Sequence, residues 1–313
     1  MTWWDESIDA SAPIPARRPV AEPPAVPAEL PALVEFSRAS ARSLDHVSSW
    51  RAVTAYARDH WLDDADGVPE ELIGEFHALR HAAADQLELA DEAEEARKEW
   101  LDWAIRTNRP AAAFHARSFG AFAEAEKFID AHPAGGRPAD AQVPELASLT
   151  RDILDLRPSG PEAYQFALSA AVAGASASLA RRPDLAEALS RWSAEYAPPR
   201  TGDDDRRLLQ AQVAHGRGDL VGSAKMCAAV AESPASEPVT STIEARQMLS
   251  HLSLEAEEPA EAVRQLLPVV AVGLEYDLVV GTLRSARLLS ALLNSDGEFA
   301  RAAELAAAAL EAA

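Results

Sequence analysis

Two histidines four residues apart are the clearest candidate for metal chemistry in this 313-residue sequence. His77 and His81 share a face if their segment is helical, and Glu75 and Asp85 lie close enough in sequence to complete a zinc site. The zinc-protease pattern, however, requires a glutamate directly after the first histidine, and Ala78 occupies that position. We therefore interpret both residues as structural surface histidines and predict no metal.

An acidic run and a single thiol are the other groups that could bind or react. Residues 63–67 end in a glycine as calcium loops do, but the matching register would require a glutamate where Ile73 stands. Cys227 lies among small apolar residues of a predicted helix, a setting typical of a buried core thiol rather than a nucleophile. No glycine-rich phosphate loop and no Gly-x-Ser-x-Gly elbow occurs in the sequence. The sequence therefore predicts a protein that is not an enzyme and holds no cofactor.

Net charge narrows the classes of partner. The chain carries 50 acidic and 29 basic side chains, a formal charge of −21. Such a field repels phosphate backbones and anionic lipid, so we predict that neither nucleic acid nor a membrane is the partner. The N-terminus lacks the basic and apolar regions of a signal peptide, and no stretch approaches about eighteen uninterrupted apolar residues. We therefore predict an acidic protein of the cytoplasm.

Composition indicates an all-helical chain. About one residue in five is alanine, the strongest helix former, whereas the chain has only 14 glycines. Lys98, Lys127 and Lys225 are the only lysines among the basic residues, which together with the alanine excess indicates a bacterial protein from a GC-rich genome. The single cysteine excludes an intramolecular disulfide and a multi-cysteine metal site. These observations favour an all-α fold.

The first 32 residues differ from the rest of the chain. They hold seven prolines and no helical periodicity, a pattern that predicts a disordered tail with extended, polyproline-like segments. Trp3 and Trp4 stand beside Asp5 and Glu6 near its start. Paired tryptophans in a mobile tail require a surface to cover them, so this tip is a candidate docking motif that could also mediate self-association. A disordered end with two stray aromatic residues is the alternative.

From Leu33 onward the sequence reads as successive helices joined by short polar turns. The longest break, residues 132–144, contains three prolines and two glycines and is the best candidate for a domain boundary. We predict a helical-hairpin region over residues 33–135 and a helical repeat array over residues 136–313. One continuous array from residue 33 to residue 313 is the alternative.

An internal repeat dominates the second half of the chain. Small residues after a polar turn recur as Ala188, Ala224, Ala262 and Ala302, at spacings of 36, 38 and 40 residues. Each follows one predicted helix and lies early in the next. Two helices approach closely only where their side chains are small, so these alanines predict the points where helices cross.

This pattern resembles the tetratricopeptide (TPR) repeat family over about residues 165–313, with a diverged version before that. Three turns fit the family's pattern, Pro183-Asp184, Gly218-Asp219 and Gly297-Glu298, and Glu257-Glu258 departs from it. The spacings exceed the family's repeat of about 34 residues, and Pro268 falls inside a predicted helix, which it should kink or end. The resemblance implies a right-handed α-solenoid of antiparallel helix hairpins, with the first helix of each hairpin lining a concave groove.

The groove of such an array is the predicted binding site. The positions that match the family's concave face predict a polar surface with three arginines, in contrast to the acidic chain as a whole. Because arginine pairs with carboxylates and stacks on aromatic rings, this surface predicts an acidic peptide with aromatic residues as the partner. Exposed helix faces commonly carry such charges without a partner, and that interpretation stays open. The predicted residues are Arg206, Gln210, Glu244, Gln247, His251, Arg284, Arg287 and Asn294.

Two functions remain after these exclusions. The leading hypothesis is a non-catalytic intracellular scaffold or adaptor that holds a protein or peptide in the concave groove. The alternative is a regulatory protein that senses a ligand or a peptide through its helical repeats.

Overall fold

The computed structural model describes residues 25–42, 45–60, 69–87, 89–132, 138–160, 162–196, 204–233, 240–276, 279–295, 297 and 299–312. Within these ranges, the side chains of residues 42, 130, 205, 240, 273–276, 279–284 and 308–312 are outside the description. The tail tip with Trp3 and Trp4 and the acidic run over residues 63–67 lie outside the described residues.

All regular structure in the described ranges is helical, which confirms the all-α prediction. The described helices include none that is long and apolar enough to cross a bilayer. A short 3₁₀ helix (Asp140–Gln142) precedes α6. The α-helices are α1 (Leu30–Arg42), α2 (His46–Asp59), α3 (Glu70–Gln86), α4 (Ala90–Arg106), α5 (Pro110–Ala131), α6 (Pro144–Asp155), α7 (Ala163–Leu179), α8 (Pro183–Tyr196), α9 (Asp204–Gly216), α10 (Leu220–Ala231), α11 (Thr240–Glu255), α12 (Pro259–Tyr276), α13 (Val279–Ser295) and α14 (Phe299–Ala312).

Each odd-numbered helix is followed along the chain by an even-numbered helix, and the two pack against each other in α1–α2, α5–α6, α7–α8, α11–α12 and α13–α14. We call each such consecutive pair a hairpin. The turns inside the last four hairpins each contain a residue with positive φ, and three of these turns are closed by an amide that donates to a carbonyl five residues earlier. This is a Schellman ending, which favours glycine because a left-handed backbone costs other residues roughly 1–2 kcal/mol. The positive-φ residues are Arg181 (59°), Gly218 (79°), Glu257 (60°) and Gly297 (83°).

The fourth residue of every even-numbered helix is small and buried. A small side chain at one fixed position lets the odd-numbered helix approach the backbone of its partner, while larger residues fill the flanks. The pattern extends from the first hairpin to the last. The residues are Ser49, Ala93, Ala147, Ala186, Ser223, Ala262 and Ala302.

A matching position lies twelve residues earlier, on the odd-numbered helix. Ser290 Oγ donates to the carbonyl of Ala302 at 3.2 Å, and a Cβ added to Gly174 would lie 3.6 Å from the carbonyl oxygen of Ala186. The two positions therefore face each other at the crossing. Small residues at this earlier position are Ser37, Gly174, Ala211, Ser250 and Ser290.

Two of the four predicted crossing residues need correction. Those in α12 and α14 are buried at their crossings, but Ala188 and Ala224 are only half-buried. Ala186 and Ser223 occupy the crossings instead, each five residues after the positive-φ residue of its turn. The turn before α8 has Arg181 as its positive-φ residue, and an arginine gives no sign of a left-handed backbone in the sequence. The crossing residue of α8 was therefore predicted two positions too late.

The chain divides into two compact units, which differ from the predicted domains. Unit 1 comprises Met1–Ala93 and Cys227–Ala313, and unit 2 comprises Glu94–Met226. The predicted boundary between residues 135 and 136 falls inside unit 2. On both sides of this break, α5, α6 and α7 contribute to one hydrophobic core.

Unit 2 is built around α7, which is buried along most of its length. Its alanines let α5, α8 and α9 approach closely, and larger side chains from these neighbours complete the core. Phe114 on α5 meets Phe166 on α7 edge to face, with ring centres 5.5 Å apart. On α8, Trp192 packs into the same cluster as Leu189.

Unit 1 contains a second core formed by α12, α13 and α14. Leu266, Leu289 and Leu305 lie at its centre, and all three are almost completely buried. Of the two predicted effects of Pro268, a kink or an end of the helix, the end does not occur, because α12 continues through it to Tyr276. At the other end of the chain, α1 begins at Leu30 rather than Leu33, with the side chain of Leu30 buried.

The crossing geometry predicts a large difference between neighbouring alanines of α12. Ala262→Phe should lower the free energy of unfolding by roughly 1–3 kcal/mol, because the added ring has no space at the buried crossing. Ala260→Phe is the matched control: Ala260 is exposed two residues away, and its substitution should change stability by no more than about 0.5 kcal/mol. Urea unfolding followed by circular dichroism measures both. Equal effects at the two positions would contradict the crossing assignment.

Candidate functional site

Six of the predicted groove residues lie on two odd-numbered helices of unit 1, α11 and α13. His251 is exposed on α11, and Arg287 and Asn294 are exposed on α13, seven residues apart and therefore on one side of the helix. Gln247 precedes His251 by one turn and is half-buried. Its side-chain amide donates to Ser285 Oγ at 2.9 Å, which links α11 to α13. We call Gln247, His251, Arg287 and Asn294 the α11–α13 face.

Three further predicted groove residues are not included in this face, and two of them lie on the same two helices. The side chain of Arg284 lies outside the description, although its backbone belongs to α13. Gln210 is half-buried on α9, in unit 2. Glu244 is half-buried on α11, in unit 1.

Arg206 corrects the sequence prediction, because it is a buried residue and not part of an exposed strip. Its side chain is only 1% exposed. Its guanidinium donates from Nη2 to the carbonyl and the Oγ of Ser193, at 3.2 and 3.1 Å, and its Cζ lies 5.8 Å from the ring centre of Tyr164. The guanidinium therefore joins α9 to α8 and α7 inside unit 2. The sequence missed this because an arginine at an inward position looks the same as one that points to solvent.

The two histidines of α3 also differ from their prediction as surface residues. His77 and His81 are both buried, and Nδ1 of His81 lies 3.0 Å from the carbonyl oxygen of Ala93. His81 thus occupies the crossing position of the second hairpin, where other hairpins have a small residue. The described residues include no group of His, Cys, Asp or Glu that could hold a metal ion. Cys227 is buried, as the sequence predicted.

Unit 2 contains a polar cleft that the sequence analysis did not identify. It has a volume of about 650 Å³ and lies between α4, α5 and the start of α6. On α5, the residues that line it recur every three to four positions, from Arg117 through Gly120 and Glu124 to Lys127. The only sequence signal was this run of charges around a glycine inside a helix. A run of that kind is also typical of an ordinary solvent-exposed face.

Arg97 of α4 is held at the wall of this cleft by Glu94. Its Nε and Nη2 donate to the two carboxylate oxygens of Glu94 at 2.7 and 2.9 Å. These hydrogen bonds, with a further ion pair from Lys98, lower the pKa of Glu94 to about 2. A Cβ added to Gly120 would lie 2.9 Å from Nη1 of Arg97, so the glycine makes room for the guanidinium.

Arg117 of α5 is fixed by three partners on α6. Its Nε donates to Glu145 at 2.8 Å, its Nη1 to Asp152 at 2.9 Å and its Nη2 to Ser148 at 3.1 Å. Burial lowers the pKa of Arg117, but the hydrogen bonds to Glu145 and Asp152 outweigh that effect, and the net result is a raised pKa. Arg117 therefore acts as a permanent cation that clamps α5 to α6.

The carboxylate of Glu124 caps the N-terminus of α6. Its two oxygens accept from the backbone amides of Glu145 and Leu146 at 3.2 and 3.0 Å. The first amides of a helix have no partner within the helix, and a carboxylate there is favoured by the helix dipole. The cleft thus has charged walls whose carboxylates are already bound by the protein.

Comparison with known proteins places the chain in no family: no protein-family model matches it, and neither does any curated protein. The arrangement of its own residues therefore carries the functional argument.

The burial of Arg206 leads to a test with a neighbouring control. Arg206→Ala should lower the free energy of unfolding by about 2–4 kcal/mol, because it leaves a cavity and removes the donor to the Ser193 carbonyl. Arg207→Ala removes a more exposed arginine that is paired with Asp204, and should cost no more than about 1 kcal/mol. Urea unfolding measures both. A smaller loss for Arg206→Ala than for Arg207→Ala would contradict the buried placement.

The ion pair of Glu94 predicts a pH-dependent contribution to stability. Because the folded-state pKa of Glu94 is about 2, below its ordinary value of 4.5, the pair contributes fully above about pH 4.5 and its contribution is lost as the pH falls toward 2. Glu94→Gln should therefore flatten the fall of unfolding free energy over this window. Glu95→Gln, at an exposed position of the same helix, is the control and should leave the fall unchanged. Parallel pH profiles for wild type and Glu94→Gln would contradict the pairing.

Proposed function

We propose that this chain is a non-catalytic interaction scaffold that binds an acidic, aromatic-containing peptide or protein segment through the α11–α13 face. In this proposal the hairpins stack as a TPR-like, right-handed α-solenoid, and the odd-numbered helices line its concave side. The observation that carries it is the repeated crossing: a small buried residue at the fourth position of every even-numbered helix. A structural rule of this kind constrains only the inner positions of each hairpin, so the exposed positions can be used for recognition.

The chemistry of the α11–α13 face supports an anionic partner. Arg287 offers a planar guanidinium that can bind a carboxylate through two hydrogen bonds and can stack on an aromatic ring. Asn294 and His251 add polar groups that are exposed on the same two helices. The hydrogen bond from Gln247 to Ser285 links α11 to α13, so the two helices that carry these residues are connected before a partner arrives.

A regulatory function, in which the helical repeats sense a small ligand or a peptide, is the second candidate. The polar cleft of unit 2 favours it, because a volume of about 650 Å³ falls in the range of small-molecule sites.

Peptide binding by the α11–α13 face can be tested with a probe taken from the chain itself. A labelled peptide of residues 1–12 carries two tryptophans and several acidic residues. It is titrated against full-length protein carrying Trp3→Ala and Trp4→Ala, so that the tail does not compete. Adding Arg284→Glu and Arg287→Glu should weaken binding about tenfold or more at low salt, because attraction becomes repulsion. Fluorescence anisotropy measures affinity, and circular dichroism should show unchanged helicity.

The control for this test reverses two arginines elsewhere. Arg191→Glu with Arg264→Glu changes the net charge by the same amount on even-numbered helices, at side chains that are mostly exposed. This variant should bind the peptide almost as well as its parent. Equal weakening by both double variants would show a general charge effect. No weakening by either would place the interaction surface elsewhere.

A further inference from the structure

The polar cleft of unit 2 contains hydrogen-bond donors that the fold does not use, although its positive and negative side chains are equal in number. Its walls include three basic residues, Arg97, Arg117 and Lys127, and three carboxylates. Each carboxylate already accepts from the protein: Glu94 from Arg97, Glu145 from Arg117, and Glu124 from the amides of α6. These carboxylates therefore attract an external cation only weakly, because they already interact with donors of the protein.

The donors of the cleft are only partly used. Nη1 of Arg97 points at Gly120 and makes no hydrogen bond with any residue that the structure describes, since both contacts of this guanidinium to Glu94 use other nitrogens. Lys127 is exposed and forms no ion pair within the described ranges. Gln142 is exposed and accepts from the amide of Ala139 at 2.9 Å through Oε1, which leaves its NH₂ group without a partner among the described residues.

One wall of the cleft is apolar. The ring of His132 stacks on Phe128 with the ring centres 4.4 Å apart and the planes inclined by 20°. Nδ1 of His132 lies 2.9 Å from the carbonyl oxygen of Phe128, and since a carbonyl only accepts, Nδ1 is the donor. This stack can cover the carbon skeleton of a ligand while Arg97, Lys127 and Gln142 bind its charged groups.

The dimensions of the cleft suit a molecule with more than one charged group. Gly120, which marks the position of the Arg97 guanidinium, and Lys127 are seven residues apart on α5, which corresponds to about 10 Å along the helix. A ligand with two charged groups can bridge side chains that start from positions this far apart. The acidic surface of the rest of the chain acts weakly here, because charges beyond about 8 Å are screened at physiological salt.

We propose that the unit 2 cleft binds a small organic polyanion, a molecule with two or more carboxylate or phosphate groups, through Arg97, Lys127 and Gln142. This site shares no residue with the α11–α13 face and does not depend on peptide binding there. It gives the helical scaffold a second ligand class.

Calorimetric titration of the full chain with citrate and, separately, with inorganic pyrophosphate tests the proposal. Saturable binding of either probe at millimolar or lower concentration supports it, and the stronger probe distinguishes carboxylate from phosphate as the preferred group. Binding should weaken when NaCl is raised from about 50 mM to about 500 mM, because the contacts are charge-assisted. Absence of saturable binding with both probes would overturn the proposal.

Two variants and one control locate the binding in the cleft. Lys127→Gln removes a cation that has no structural partner among the described residues, and should weaken binding at least tenfold. Gly120→Ala should do the same by displacing the Arg97 guanidinium, while the helix itself gains a better helix former. Lys225→Gln removes an exposed lysine of the same unit that does not line the cleft, and should leave affinity unchanged. Equal weakening by Lys127→Gln and Lys225→Gln would assign the binding to general charge and overturn the site.

Discussion

Close approach of two backbones at each helix crossing requires a residue without a bulky side chain, and the register of the hairpins in this chain follows from that requirement. The crossing residue is the fourth of every even-numbered helix and, where the turn residue is known, lies five positions after the left-handed residue that ends the preceding helix. The turn therefore sets the register, and the crossing sets how near the helices lie. Because a buried crossing tolerates so few side chains, the alanine content of the chain is a packing requirement as well as a helix preference.

The same principle operates where a small residue makes room for something other than a helix. At Gly120 the space is occupied by the guanidinium of Arg97, and Glu94 orients that guanidinium through two hydrogen bonds. At the crossing of the second hairpin, by contrast, His81 is larger than its counterparts and spans the gap with a contact to the Ala93 carbonyl. Small residues in this fold thus leave space either for the backbone of a neighbouring helix or for a polar side chain that another residue orients.

The helical class could be predicted from the sequence because alanine enrichment and glycine scarcity act locally, one residue at a time. The crossing register was predicted only in part: glycine marks the left-handed turn at Gly218 and Gly297, but Arg181 and Glu257 adopt the same backbone without any local signal. The direction of a charged side chain was the least predictable feature. Arg206 and Arg287 look alike in the sequence, yet one is buried against Ser193 and the other is exposed. That difference depends on tertiary neighbours that a sequence pattern does not contain.

Net charge is consequently a poor guide to what a local surface of this protein recognises. The formal charge of −21 describes the long-range field, which salt screens within about a nanometre. At contact distance the deciding quantity is which donors and acceptors remain after the fold has made its own hydrogen bonds. In unit 2, the amides of α6 and the side chains of Arg97 and Arg117 bind the carboxylates of the cleft. An acidic protein can in this way present a surface of hydrogen-bond donors. Its carboxylates accept hydrogen bonds within the fold, while some of the N–H groups of its basic side chains have no acceptor there.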